Sequence, residues 1–238
     1  LNRIVGTKVS IVSPKVQTTR TRVLGIALDG NAQLIFIDTP GIFSPKRRLD
    51  RAMIAAAWGG IGDEDRVLLL VDSRKGLEPD TKLIIDKLLK QGGRTIDLVL
   101  NKIDLVDRQR LLGLAEKFNQ YGIFNKIFMV SAEKGDGVED LVSYLKLQMP
   151  VSPWLFPEDQ VSDMPLRLLA AEITREQLFL KLHQELPYAA TVETESWEEK
   201  DDGSIRIEQT IYVERGSQRS IVLGKNGKMI KSIGAESR

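Results

Sequence analysis

Thr95-Ile96-Asp97-Leu98-Val99-Leu100-Asn101-Lys102-Ile103-Asp104 is the stretch that decides the fold. A largely apolar run occupies its first part, and a polar tetrapeptide follows without a spacer. Such a run is typical of a strand that is buried on both faces of a sheet. In an open α/β sheet, ligands bind beyond the carboxyl ends of the strands, so the tetrapeptide lies where a ligand would be held.

Further strands and helices alternate around this stretch. The strands are predicted at residues 21–29, 34–37, 66–71, 95–100 and 126–130, and the first two form a hairpin around Gly30-Asn31. The helices are predicted at residues 47–58, 79–91, 108–121 and 138–149. In the helix at 79–91, the side chains expected on one face are Leu83, Ile84, Leu88 and Leu89. This alternation implies an α/β fold with a mostly parallel sheet and helices on both faces.

The pattern changes at Pro150. Four of the nine prolines lie between Pro150 and Pro165, among acidic residues and serines, which indicates a linker. A helix is predicted after it at residues 166–182, then two alternating strands at 190–198 and 204–213, and then two short helices. The predicted organisation is therefore a first domain at 1–149, a linker at 150–165 and a smaller α+β domain at 166–238.

The composition excludes several classes of protein. The chain has 238 residues, is 42% hydrophobic and 28% charged, and has no cysteine, so it has no disulfide framework. Its apolar runs are far shorter than the ~20 residues that span a bilayer. The formal net charge is +1, so a site for nucleic acid must be a local patch.

The tetrapeptide Asn101-Lys102-Ile103-Asp104 predicts a guanine pocket. A carboxylate accepts hydrogen bonds from guanine N1–H and from the exocyclic amine, whereas adenine offers no such pair of donors. The Lys102 stem can lie along the base, and Asn101 can join neighbouring loops. Ser131 and Ala132 follow the next strand, where small residues let a backbone N–H approach the base. The alternative is that Asp104 or Asp107 caps the next helix.

Asp38-Thr39-Pro40-Gly41 predicts the phosphate and metal side of the same site. Asp38 follows a strand and can hold Mg²⁺ directly or through water, and Gly41 leaves room for a terminal phosphate. Thr18 and Thr19 precede the hairpin, and the Thr19 hydroxyl is a second candidate magnesium ligand. Ile42 stands where a glutamine would orient the attacking water, so slow hydrolysis is expected.

Gly224-Lys225-Asn226-Gly227 lies between the two short helices of the second domain and predicts a clamp for a single-stranded nucleic-acid backbone. Two glycines allow close approach of phosphates. The alternative is a flexible turn between helices. The candidate RNA-binding residues are Arg219, Ile221, Val222, Gly224, Lys225, Asn226, Gly227, Lys228 and Lys231.

Together these motifs resemble the Era family of the TRAFAC-class translation GTPases. The segments that carry the resemblance are residues 13–20, Asp38-Thr39-Pro40-Gly41, Asn101-Lys102-Ile103-Asp104, Glu185-Leu186-Pro187-Tyr188, Val213-Glu214-Arg215 and Gly224-Lys225-Asn226-Gly227. The resemblance implies a P-loop-NTPase-like G domain followed by a KH domain of type II. It also implies GTP, GDP and Mg²⁺ as ligands, with K⁺ used by some relatives.

The same resemblance implies the biology. Its expectations are binding to 16S ribosomal RNA near the 3′ end, a role in assembly of the 30S subunit, a cytoplasmic location and a monomeric state. A weak peripheral association with membranes is a further option by family analogy.

One motif of the family is absent from the printed sequence. No Gly-x-x-x-x-Gly-Lys-Ser/Thr phosphate loop occurs in it, and the resemblance places that loop just before Leu1 and a further strand and helix after Arg238. The expectation is a fragment of a longer protein. Two alternatives stay open: a non-catalytic RNA-binding module with a degenerate G domain, and a different nucleotide-dependent α/β enzyme.

Overall fold

The computed structural model describes residues 1–43, 48–59 and 66–238. The strands are β1 Val23–Asp29, β2 Ala32–Asp38, β3 Val67–Asp72, β4 Ile96–Asn101, β5 Phe124–Val130, β6 Ala190–Glu199 and β7 Ile205–Val213. The helices are α1 Asn2–Val5, α2 Arg48–Gly59, α3 Pro79–Gln91, α4 Arg108–Asn119, α5 Val138–Gln148, α6 Leu166–Lys181, α7 Gly216–Leu223 and α8 Lys228–Glu236. Short 3-10 turns cover Ile103–Leu105, Leu186–Ala189 and Lys225–Gly227.

The first half contains an antiparallel hairpin and a parallel sheet. β1 pairs with β2 from Val23 opposite Asp38 to Asp29 opposite Ala32, which confirms the predicted hairpin. β3, β4 and β5 form a three-stranded parallel sheet in that order. Because these strands are parallel, Asp72, Asn101 and Val130 end side by side at one edge.

Helices cover the parallel sheet and close its core. Leu98, Leu100, Ile85 and Phe118 are all fully buried in one cluster. The predicted face of α3 is confirmed in part: Leu88 is buried in the core, and Ile84 packs against it. Leu83 and Leu89 are instead 61% and 46% exposed, and Ile85 is buried. Adjacent apolar residues along α3 left the edges of the buried face undetermined.

In the second half, α6 packs on the β6–β7 hairpin, and α8 packs on α6 and α7. The core of this half contains Leu178, Ile233, Val192 and Val222. β6 and β7 are antiparallel, with Ala190 opposite Val213, as the alternating pattern predicted. Within the described ranges, no helix of either half is both long enough and apolar enough to cross a membrane.

The linker lies along the β1–β2 hairpin. The Trp154 indole N–H donates to the Asn31 carbonyl at 3.0 Å, and the Gln33 side-chain oxygen accepts from the Leu155 and Phe156 amides. Farther along, the Ile26 amide donates to the Val161 carbonyl at 2.9 Å. The proline-rich segment is therefore held against the first domain over much of its length.

Helix α6 is buried on every side between residues 174 and 179. One side packs on the β6–β7 hairpin, and the other contacts the segment 8–20 that precedes β1. Arg175 Nη2 donates to the Thr18 carbonyl at 2.7 Å, and the Val12 amide donates to Glu176 Oε1 at 2.7 Å. We call the contacts of segment 8–20 with α6 and with residues 187–190 the clasp.

Arg20 completes the clasp. Its guanidinium donates to the carbonyls of Ala190, at 2.9 Å, and of Pro187 and Tyr188, both at 3.2 Å. Burial, with a smaller contribution from the nearby Arg175 charge, lowers the pKa of Arg20 to about 10. A partly buried guanidinium keeps its charge by donating to several carbonyls at once.

Candidate nucleotide and RNA sites

The predicted guanine residues meet at the carboxyl ends of β4 and β5. The Asn101 side-chain oxygen accepts from the Lys102 amide at 2.7 Å and from the Ala132 amide at 3.0 Å. One amide side chain therefore joins the two loops, as predicted. The Ala132 N–H points to Asn101 here, so its predicted contact with the base remains a prediction.

Asp104 is held by the second loop. Ser131 is fully buried, and its hydroxyl donates to Asp104 Oδ1 at 2.7 Å. The alternative role, a cap for α4, belongs to Asp107, whose side chain accepts from the Arg110 amide at 2.8 Å. Asp104 is thus free of capping and is oriented before any base arrives.

Two residues that support the loop after β5 were not predicted from the sequence. At Gly137, a β-carbon would lie 2.2 Å from the Met129 carbonyl oxygen, so only glycine fits where α5 begins. Arg3 of α1 donates to the carbonyls of Ala132 and Glu133. Neither residue stands in a motif. Only the fold brings Arg3 across 129 residues of chain to this loop.

The end of β3 adds a group of charges to the same edge. Asp72 Oδ2 accepts from Lys102 Nζ at 2.8 Å and from Arg74 Nη2 at 2.9 Å. Hydrogen bonds from Arg74, followed by that from Lys102, hold the pKa of the Asp72 carboxyl well below its usual range. Lys102 has φ 65°, a left-handed conformation that is uncommon for a lysine.

The two candidate magnesium ligands lie together. Burial raises the pKa of the Asp38 carboxyl, and the nearby Thr19 hydroxyl acts in the opposite direction. A hydroxyl and a carboxylate form an oxygen donor set that suits Mg²⁺. The Thr18 hydroxyl donates to the Lys15 carbonyl at 2.9 Å, so Thr18 braces the loop locally.

The residues after Asp38 change from buried to exposed. Thr39 is partly buried, Pro40 is fully buried, Gly41 is exposed and Ile42 is partly buried. Among the residues that the structure describes, none has a heavy atom within 4 Å of a β-carbon built at Gly41. Among the described residues, no group of three or more histidines, aspartates or glutamates could hold a metal on its own.

The loop between α7 and α8 has a constrained backbone. Gly224, Asn226 and Gly227 have φ values of 70°, 54° and 72°. A β-carbon at Gly224 would lie 2.6 Å from the Met229 β-carbon, so this glycine is required for the two helices to meet. Arg219, Lys225, Asn226, Lys228 and Lys231 are all exposed around this loop.

One predicted RNA contact requires correction. Val222 is only 4% exposed, because α7 places this side chain in the core of the second half. Ile221, its neighbour, is 56% exposed and lies on the outer face. The apolar part of the candidate RNA surface therefore contains Ile221 without Val222.

Comparisons with known proteins agree with this geometry. A family model described as a 50S ribosome-binding GTPase matches residues 1–102, and a KH-domain model matches residues 185–238. The GTPase Era of Agrobacterium fabrum is 59% identical over the whole chain, which covers 75% of that relative. The chain belongs to the Era family of GTPases.

Solved Era structures have the same fold. A crystal structure of Era with MgGDPNP and nucleotides 1506–1542 of 16S ribosomal RNA superposes with a TM-score of 0.94 at 36% identity, over 100% of this chain and 81% of that one. An Aquifex aeolicus Era variant bound to GDP·AlF4⁻ also gives 0.94, at 35% identity and the same coverage. The predicted fold, a G domain followed by a KH domain, is confirmed.

Membership in the Era family excludes one alternative, a nucleotide-dependent α/β enzyme of another kind. The GTPase Era of Rhizobium meliloti, 57% identical with 76% of its length covered, supports the same assignment. The match to the KH model begins at residue 185, inside the predicted second domain. The domain limits 1–149, 150–165 and 166–238 remain predictions.

Proposed function

We propose that this chain binds and hydrolyses GTP, binds small-subunit ribosomal RNA near its 3′ end, and acts in assembly of the 30S subunit. The observation that carries the proposal is the orientation of Asp104 by Ser131 in a chain that also holds the Gly224–Gly227 loop. The Era structures with MgGDPNP, GDP·AlF4⁻ and 16S ribosomal RNA support the same two ligand classes, guanine nucleotide and ribosomal RNA.

The guanine base is recognised by Asp104. Its carboxylate accepts from N1–H and from the exocyclic amine, and each hydrogen bond to a charged group contributes about 1.5–3 kcal/mol. Ser131 and Asn101 hold the loop before the base binds, so little ordering is left to occur on binding.

Thr19 and Asp38 would hold Mg²⁺, which neutralises phosphate charge as the terminal phosphoryl group leaves. Ile42 has no group that can orient water, so intrinsic hydrolysis is slow. The use of K⁺, a cytoplasmic location, a monomeric state and a weak membrane association are further parts of the proposal that the family resemblance suggests. In the alternative, a non-catalytic RNA-binding module with a degenerate G domain, Thr19 and Asp38 would have no role in nucleotide binding.

The guanine pocket is tested with Asp104→Asn in the full-length protein. An amide offers a donor where the carboxylate offers an acceptor, so the variant should lose GDP affinity and gain affinity for xanthosine diphosphate. Isothermal titration with both nucleotides measures the change. Asp107→Asn is the matched control, because Asn also caps a helix and both nucleotide affinities should stay unchanged. Unchanged GDP binding by Asp104→Asn would refute the pocket.

The RNA site is tested with Lys225→Asp combined with Asn226→Asp. Two carboxylates in the loop should repel phosphates and abolish binding of an RNA that carries the 3′ end of 16S ribosomal RNA, while GDP affinity is retained. The control is Lys200→Asp, an exposed cation in the β6–β7 turn. RNA affinity that survives the double change would contradict the KH assignment of the loop.

A further inference from the structure

We propose that Asp72 is a positioning residue of the guanine pocket: it fixes Lys102 and holds the Arg74 guanidinium away from Asp104. The inference rests on the proposed function, since it concerns how that pocket is kept ready for guanine. Asp72 stands outside the motifs that predicted the pocket, at the end of the neighbouring strand.

Register brings Asp72 to the pocket. It is the last residue of β3 and lies opposite Asn101, the last residue of β4, so its side chain extends from the same edge of the sheet. Lys102 follows Asn101 directly, and its ammonium lies 2.8 Å from Asp72 Oδ2. The ion pair therefore links the ends of two parallel strands.

Lys102 needs such a contact. A non-glycine residue with φ 65° is in an unfavourable conformation that persists only where its surroundings determine it. Asn101 accepts from the Lys102 amide, and Asp72 holds the other end of the side chain. Together they hold Lys102 at both its backbone amide and its ammonium group.

Arg74 is the second cation that Asp72 holds. Its amide and its Nε donate to Asp72 Oδ1 at 3.0 and 3.2 Å, and its Nη2 donates to Oδ2. Arg110 Nη2 donates to the Arg74 carbonyl at 2.6 Å, which fixes the backbone as well. The Arg74 side chain is 50% exposed, so Asp72 is the group that determines where its guanidinium points.

Arg74 and Asp104 lie at the same edge of the sheet, because Arg74 and Lys102 donate to the same Asp72 oxygen and Asp104 is two residues beyond Lys102. The pKa of Arg74 is raised chiefly by its hydrogen bonds to Asp72, and the Asp104 charge acts in the same direction. A guanidinium pairs with a carboxylate through two parallel hydrogen bonds. If Asp72 released it, Arg74 would compete for the acceptor atoms through which Asp104 recognises guanine.

The test uses Asp72→Asn, Arg74→Ala and the double variant in the full-length protein. Affinities for GDP and for inosine diphosphate are measured by isothermal titration. Inosine diphosphate lacks the exocyclic amine, so the ratio of the two affinities reports the contact of Asp104 with that amine. The ratio does not change when part of the protein is unfolded. Melting temperatures of the nucleotide-free proteins show that each variant folds.

Asp72→Asn should weaken GDP binding about tenfold, the effect of losing one charge-assisted contact, and should lower the ratio. Adding Arg74→Ala should restore the ratio. GDP affinity should recover only in part, because Lys102 still lacks its ion pair with Asp72. Arg74→Ala alone should resemble the unsubstituted protein. A ratio that Asp72→Asn leaves unchanged, or that the double variant fails to restore, overturns the inference. Absence of GDP binding by the unsubstituted protein would instead overturn the proposed function.

Discussion

The guanine edge, which we define as Asp72, Arg74, residues 101–104 and Ser131, and the clasp both contain charged side chains. They differ in the burial of those side chains and in the distance along the sequence between partners. At the guanine edge, Lys102 and Arg74 are 46% and 50% exposed and pair with a carboxylate at most 30 residues away. In the clasp, the Arg175 side chain is 2% exposed and reaches a carbonyl 157 residues away.

This difference implies that the guanine edge serves nucleotide recognition, whereas the clasp stabilises the fold. Exposed ion pairs contribute about 0–1 kcal/mol, so the guanine edge can be altered without unfolding the protein. A buried cation whose partners are removed costs several kcal/mol, so the clasp joins the segment that carries Thr18 and Thr19 firmly to α6. A movement of that segment must break its contacts with α6 and with residues 187–190.

The largest effect is expected for Arg175→Met. Methionine leaves the Thr18 carbonyl without this donor and Glu172 without its partner, so the free energy of unfolding should fall by about 3 kcal/mol. The loss should stay near the lower end of the range for buried pairs, because Arg175 Nη1 has no hydrogen-bond partner within the described residues and already carries a burial penalty. Urea denaturation followed by circular dichroism measures it.

Arg206→Met is the matched control, since Arg206 pairs with Glu208 in the open, where both side chains are more than half exposed. Its effect should be below about 1 kcal/mol. Equal losses for Arg175→Met and Arg206→Met would erase the distinction between buried and exposed charge on which the comparison depends.

A smaller, functional effect is expected for Ser131→Ala at the guanine edge. Asp104 would lose its donor and some of its orientation, and GDP affinity should fall about tenfold, which is ~1.4 kcal/mol. Fluorescence titration with a labelled GDP measures the change. Ser143→Ala, an exposed serine of α5, is the control and should leave GDP affinity unchanged. A GDP affinity that Ser131→Ala does not alter would mean that Asp104 is oriented by other contacts.

The sequence predicted the guanine edge because its information is local. Asn101, Asp104 and Ser131 lie at or within three residues of the carboxyl ends of β4 and β5. Neighbouring parallel strands place such positions at the same edge of the sheet. The helix and strand ends were predicted to within a few residues for the same reason.

The clasp could not be predicted in this way. Arg175 and Glu176 stand on a helix whose pattern gives no sign that its polar side is covered, and their partners lie in a loop at the other end of the chain. Likewise, the pattern around Val222 did not show which of two adjacent apolar residues faces the core. Packing between distant segments determines the burial of the polar side of α6 and the orientation of Val222. The periodicity of a single segment does not predict such packing.

The smallest effect concerns the stability that Asp72 contributes. Its folded-state pKa is lowered, mainly by hydrogen bonds from Arg74, so its contribution is present above the pKa of the unfolded chain, about 4, and is lost as pH falls below that value. Because both cations are about half exposed, Asp72→Asn should lower the free energy of unfolding by less than about 1 kcal/mol at pH 7. Urea denaturation at pH 7, 5 and 3.5 should show the difference between the two proteins shrinking only at the lowest pH. A loss of several kcal/mol at pH 7 would place Asp72 with Arg175 among the groups that hold the fold together, and the guanine edge would then be as much a structural element as the clasp.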